Sequence, residues 1–310
     1  MSRWGLTVVL EVYEGVDTVQ TKVMSERAAT IRADVKSPTT VSAWVVLRET
    51  IIKDLRTAVR YRAGLVGGVI ELLVRMVFFV FFANVITFEA SQIGREMTTT
   101  DVFVFFQASL ILWIFRGIAV SGPLEAVYRD LYYGTLEFLY TNPSSRYAYY
   151  VGSVLSQVLI AQIVFLPLYV ILIVVSGAQP INMLMVLVVC LAVFLTLTAM
   201  GVMIAGLGLL WRNIDSVAGL TNLAFEFLAG AFFPITVFPK VLQYIAYLLP
   251  FTWGYDLVRY YSFNGDWVTI LPVWQEWTIL IVYAVIFLAL SYFFLRKVER
   301  MAKRQGLNII

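Results

Sequence analysis

The sequence has no histidine, a single cysteine and little charge: Asp, Glu, Lys and Arg make up 14% of its 310 residues. Each shortage removes a class of function. Without histidine there is no imidazole proton relay and no His-ligated metal site. The HExxH zinc helix and the Ser–His dyad of intramembrane proteases go with them, and no aspartate lies deep in an apolar run to replace them. Cys190 cannot form an intrachain disulfide. No GxxxxGK[ST] phosphate loop occurs, so the chain is not expected to bind ATP by itself. Residues 4–12 are not expected to act as a signal peptide, being short, interrupted by Glu11 and without a small-residue cleavage site. An ordinary soluble domain carries about 25% charged residues, and this chain falls far below that.

What is present in quantity is apolar, 60% of the residues. Several runs reach the roughly 20 residues a helix needs to cross a hydrocarbon core. The expectation is an all-α integral membrane protein with six transmembrane helices, at 64–88, 102–120, 150–175, 183–210, 217–233 and 277–295. Pro167 should kink the third span. Residues 1–40 are mixed and polar and read as a cytosolic extension, broken from the next segment by Pro38. In 41–63, Trp44, Leu47, Ile51, Leu55 and Ala58 recur at helical spacing while Arg48, Lys53, Arg56 and Arg60 fall mostly on other faces. That pattern predicts an amphipathic helix, lying either on the membrane surface or against protein. Residues 64–296 form the membrane domain and 297–310 a basic cytosolic tail.

Lys and Arg set the orientation, because cytoplasmic segments carry the excess. Eighteen of the 23 lie in segments on the side of the termini; Arg95, Lys240 and Arg259 lie opposite, and Arg75 and Arg116 lie within or at the edge of spans. A multi-pass protein of the plasma membrane with both termini cytoplasmic is expected.

Two polar segments interrupt this pattern. Residues 123–146 face the cytosol, yet 129–146 read RDLYYGTLEFLYTNPSSR, dense in aromatic side chains next to charge. Glu125 to Tyr133 can form a short helix, Gly134 interrupts it, Thr135 can cap a second one, and Asn142-Pro143 ends it. Aromatics and arginine are enriched at protein interfaces, so the segment suits docking on a cytosolic partner; the alternative is a loop lying on lipid. Residues 234–274 hold Pro234, Pro239 and Pro250, which rule out one straight helix. A broken, re-entrant hairpin on the outer side is expected, or else an ordinary external loop. The aromatics there, from Tyr244 to Trp277, fit a headgroup-level belt or stacking surfaces for sugars.

Four ionisable residues sit within spans or at their edges. Glu71 and Arg75 are four apart, a good helical ion-pair spacing that can tie helices together. Glu226 has no local partner; it either faces a pathway or bonds to a neighbouring helix. Arg116 is expected to snorkel toward the cytosol. Gly201, Ala205, Gly206 and Gly208 would permit close helix contacts, at a dimer face among other places.

Gly134-Thr135-Leu136-Glu137 followed by Asn142-Pro143-Ser144-Ser145-Arg146 resembles the cytoplasmic segment of ABC-2 type transporter permeases. LAGAFFPITVFPKVLQYIAYLLPFTWGYDLVRYY, residues 228–261, is similar to a second motif of that family, with Ala229 where serine is common. The resemblance extends over about residues 40–300. It implies the transmembrane subunit of an ATP-driven exporter, without catalysis of its own, carrying an amphiphile, lipid or glycan. A separate ABC ATPase subunit would hold ATP and Mg, and a second permease copy or a paralogue would complete the pathway; no nucleic acid is implied. Glu125, Arg129, Leu131, Tyr132, Leu136, Glu137 and Tyr140 would then contact the ATPase. Gly230, Phe233, Pro234, Pro239, Pro250, Asp256 and Arg259 would form an outer gate. An ion-coupled carrier and a non-transporting membrane anchor for an ATPase remain the competing readings.

Overall fold

The structure is a computed structural model; it describes residues 41–85, 96–134, 145–208 and 215–305. The expected extension at 1–40, and Leu136, Glu137 and Tyr140 of the cytosolic segment, lie outside the described residues. All regular elements described are helical. They are α1 (Ala43–Arg60), α2 (Arg62–Val85), α3 (Thr99–Tyr132), α4 (Arg146–Ser176), α5 (Pro180–Gly208), α6 (Asp215–Phe227), a 3₁₀ turn (Ile235–Val237), α7 (Lys240–Tyr247), α8 (Pro250–Ser262) and α9 (Val273–Gln305). Among the described residues, five helices are long and apolar enough to cross a membrane: α2, α3, α4, α5 and α9. The expected fifth span is the exception. Its described helix, α6, has 13 residues, about 20 Å, against the roughly 30 Å of a hydrocarbon core.

α3 is the centre of the bundle. Of its most apolar stretch, 78% is buried, against 6% for α2. α5, α4, α8, α2 and α6 all pack on it. Its start is held by a reciprocal cap: the Thr98 amide and hydroxyl donate to Asp101 Oδ2 at 2.8 and 2.7 Å, and the Asp101 amide donates to Thr98 Oγ1 at 3.2 Å. The sequence predicts a span ending near 120 and a separate short helix from Glu125. Instead α3 is one helix of 34 residues with Pro123 inside it, ending just before Gly134 at φ 66°.

Proline at 123 leaves the Ala119 carbonyl without its helical donor. That carbonyl is where α5 approaches most closely: a Cβ on Gly201 would stand 2.0 Å from Ala119 O and 2.9 Å from Val120 O. The proline thus marks a helix–helix contact rather than a helix end. Gly201 and the buried Ala205 pack inside the chain, and a Cβ on Gly206 would meet Phe294 at 3.1 Å. These three small residues serve the intrachain bundle, not a dimer face. α4 starts at Ser145, whose hydroxyl accepts from the Ala148 amide, and runs unbroken through Pro167 to a left-handed cap at Gly177.

Candidate functional site

The polar side chains gather at three levels along α3: the α1 end, the middle, and the end under the α7–α8 hairpin.

At the α1 end, the amphipathic helix forms as expected, with Leu47, Ile51, Leu55 and Ala58 half-buried on its inward side, but the most buried positions there are polar. Thr50 and Asp54 are its buried residues, whereas Trp44 is 70% exposed and suited to lipid. Asp54 accepts from Ser153 Oγ and Ser156 Oγ, both at 3.0 Å, and pairs with Arg129 at 3.3 Å. Arg129 also donates to Ser153 Oγ at 3.2 Å, and Lys53 lies 3.5 Å from Asp54. α1 can press this closely because Gly152 of α4 has no side chain: a Cβ there would meet Leu47 O and Thr50 Cβ at 3.0 Å. One buried carboxylate thus ties α1, α3 and α4 together. Beyond it α3 ends in exposed Tyr132 and Tyr133, consistent with an open tip. Glu125 is exposed one turn before Arg129 and looks into the space between α2 and α4 rather than toward that tip.

At the middle, the intramembrane charges form one chain. Arg75 Nη2 contacts Glu71 at 3.2 Å, Arg75 Nη1 contacts Glu226 at 3.5 Å, and Arg116 Nη2 contacts Glu226 at 3.3 Å. Arg75 lies over the Trp113 ring, 3.7 Å from its centroid. Arg116 also donates to the Asn222 carbonyl, and Asn222 Nδ2 donates to Ser121 Oγ at 2.9 Å. Arg116 is 3% exposed, so it does not snorkel; Glu226 holds it in the interior. Two acids and two bases cancel, which lowers the cost of placing any of them in a low-dielectric medium. The Glu71–Arg75 pair is the expected one. Glu226 takes the second of its two readings, bonding to a neighbouring helix.

At the hairpin end, Arg259 is 2% exposed. It donates to Ser109 Oγ at 2.7 Å, Gly230 O at 2.6 Å and Ala231 O at 3.1 Å, and lies over the Phe105 ring at 3.7 Å. Gly230 adopts φ 87°, open to glycine at little cost, and a Cβ there would stand 2.9 Å from Ile235. Asp256 accepts from Trp267 Nε1 and the Ile270 amide, both at 2.7 Å, which folds the link from α8 back to α9. Glu276 is fully buried and accepts from the Leu271 amide at 3.0 Å. Each proline starts an element: Pro234 the 3₁₀ turn, Pro239 α7, Pro250 α8. Phe233 is partly exposed at the joint. The motif residues Gly230, Asp256 and Arg259 are therefore buried together where α8 packs on α5 and α3, forming a cap at this end of the bundle. The aromatic-belt reading fits only part of this region. Tyr244 and Trp274 are exposed, but Phe251, Trp253, Tyr255, Tyr261 and Trp267 are buried in the cap.

Sequence reasoning missed Asp54, Ser109, Ser153 and Ser156. Asp54 had a signal: it falls seven residues after Leu47 and three after Ile51, on the apolar stripe itself. The serines had none.

This geometry accompanies a clear family match. The model of the family described as ABC-2 type transporter matches residues 44–263, and the chain belongs to that family. It is a multi-pass membrane protein of the transport-permease type. It is also similar to the putative transport permease YvfS of Bacillus subtilis (strain 168), 31% identical over 96 residues. That alignment takes in 29% of this chain and 36% of the relative, so the chain spans about a third of the relative's length.

Proposed function

We propose that the chain is the membrane-spanning subunit of an ATP-driven exporter, working as a dimer and moved by a separate ABC ATPase. The observation that carries this reading is α3. It is a single helix whose exposed aromatic tip is anchored to α1 and α4 through Asp54–Arg129, and whose other end lies beneath the hairpin cap. Force applied by a partner at residues 129–146 would reach the cap through one element. In this reading Arg129, Leu131, Tyr132, Leu136, Glu137 and Tyr140 meet the ATPase, which holds ATP and Mg, and the cap from Gly230 to Arg259 gates the outer exit. α6 and the hairpin together make the sixth crossing, which leaves both termini cytoplasmic in the plasma membrane. The uncovered face of α2 meets the second permease copy. The charge chain supports ATP drive over ion coupling, since its members neutralise one another.

The test is co-purification of the tagged chain from its native membrane, with ATPase activity assayed on what accompanies it. A stoichiometric nucleotide-binding subunit is expected, lost in Glu137→Arg and in Leu136→Asp while the permease stays inserted. A chain that purifies alone, folded and without ATPase, overturns the reading in favour of a carrier or a simple anchor.

A further inference from the structure

Between the α1-side halves of α2, α3 and α4 lies a cleft of about 480 Å³, within the range of about 300–1,000 Å³ that holds small ligands. It exists because α2 leans on α3 but scarcely touches α4. Gly64, Gly68 and Gly117 line it, and a Cβ on any of them would meet nothing within 4 Å. These glycines do not bring helices together, as Gly201 does; they leave room. Leu65, Leu72, Ile114 and Ile160 give the walls an apolar surface.

The polar groups are unevenly matched. Arg129 reaches the cleft, but Asp54 already neutralises it at 3.3 Å. At the inner end Glu71 is held by Arg75. Glu125 lines the same cleft, is exposed, and makes no ion pair among the described residues. The cleft therefore offers at its mouth one carboxylate without an ion-pair contact, one turn from an arginine committed to Asp54, and an apolar slot behind it. An anionic head would meet that carboxylate, and the one arginine in the lining is already engaged by Asp54. A cationic head would form a charge-assisted hydrogen bond there.

We propose that this cleft binds a long-chain cationic amphiphile, its amine at Glu125 and its tail between Gly68 and Gly117. This names a substrate class for the exporter and rests on that reading for the leaflet faced, the cytoplasmic one, but not for the binding itself. The amine can belong to a free amphiphile or to a lipid headgroup.

The full chain, in phosphatidylcholine nanodiscs, is titrated with a tail-brominated dodecylamine. Bromine quenches Trp113, the tryptophan among the lining residues. Saturable quenching is expected, lost in Trp113→Phe and absent with the equally brominated dodecyl sulfate. Glu125→Gln should weaken binding about tenfold, the worth of one charge-assisted contact. Gly117→Leu, which fills the slot, should abolish it. Equal quenching by amine and sulfate, or amine binding unchanged in both Glu125→Gln and Gly117→Leu, overturns the proposal. ATPase capture is scored on the same preparations. Capture intact with quenching lost in the variants supports the site in a folded protein. Wild-type capture absent with saturable quenching present overturns the exporter reading and leaves the site standing. Mass spectrometry of the extracted protein separates the sources: an amine-headed phospholipid displaced by dodecylamine identifies the headgroup, and its absence identifies the free amphiphile.

Discussion

Arg116 and Arg259 are both almost wholly enclosed, and their surroundings give them different tasks. Arg259 satisfies three oxygens and covers a ring, a geometry that lysine's point charge cannot reproduce. Arg259→Lys should lower stability by about 3 kcal/mol, since each buried acceptor left unpaired costs about 1–3 kcal/mol; thermal unfolding in detergent followed by size exclusion checks it. Arg116 stands or falls with Glu226. Arg116→Gln and Glu226→Gln should each destabilise, because each leaves the four-membered chain one charge out of balance. The double variant should recover much of the loss, with a coupling of about 1 kcal/mol or more. Additive losses would sink the pairing. How much of this was legible depends on separation along the chain. Glu71 and Arg75 are a helical turn apart and could be read from spacing; Arg116 and Glu226 are separated by 110 positions, and no local period reports such a contact. Arg259 was legible as part of a motif, but its three acceptors were not, two of them being backbone.

At the scale of elements, the close approaches decide the packing. Gly201→Val should abolish the folded, monodisperse species in fluorescence-detected size exclusion, since its branches would meet the α3 backbone, which cannot yield. Gly152→Leu should do less to the bundle and more to α1, lifting it from α4; increased proteolysis within 43–60 would report it. Helix periods and span positions were readable because apolar runs carry them. The continuity of α3 was not, because a proline followed by a polar stretch looks like a break. In the fold, the carbonyl that Pro123 frees lies against Gly201 on another helix. The buried polar positions of α1 escape the sequence for a related reason. The stripe is visible, but its buried members include an acid whose partners are two serines and an arginine on other helices.

For the whole molecule, the asymmetry of Lys and Arg predicts which face is outside. Lys240, exposed at the start of α7, tests it: Lys240→Cys together with Cys190→Ala should be modified by an impermeant maleimide from outside the cell, and modification only from the cytosol would invert the topology. The class of protein was readable from composition and two motifs, whereas the short α6 was not, because its apolar run extends beyond the 13 helical residues. α3 has a mechanical consequence. It is held at three levels, by Arg259 on Ser109, by Glu226 on Arg116 and by Asp54 on Arg129, and the middle hold has about 25 Å of helix on either side. If its ends move together with α1 and α8, a beam pivoting on the middle hold would act as a seesaw: a tilt that carried its Tyr132 end one way would carry its Thr99 end the other, by a similar distance. Such a lever has no gearing. The two mouths of a pathway built around it would move in antiphase by construction, one closing as the other opens, with no separate timing device.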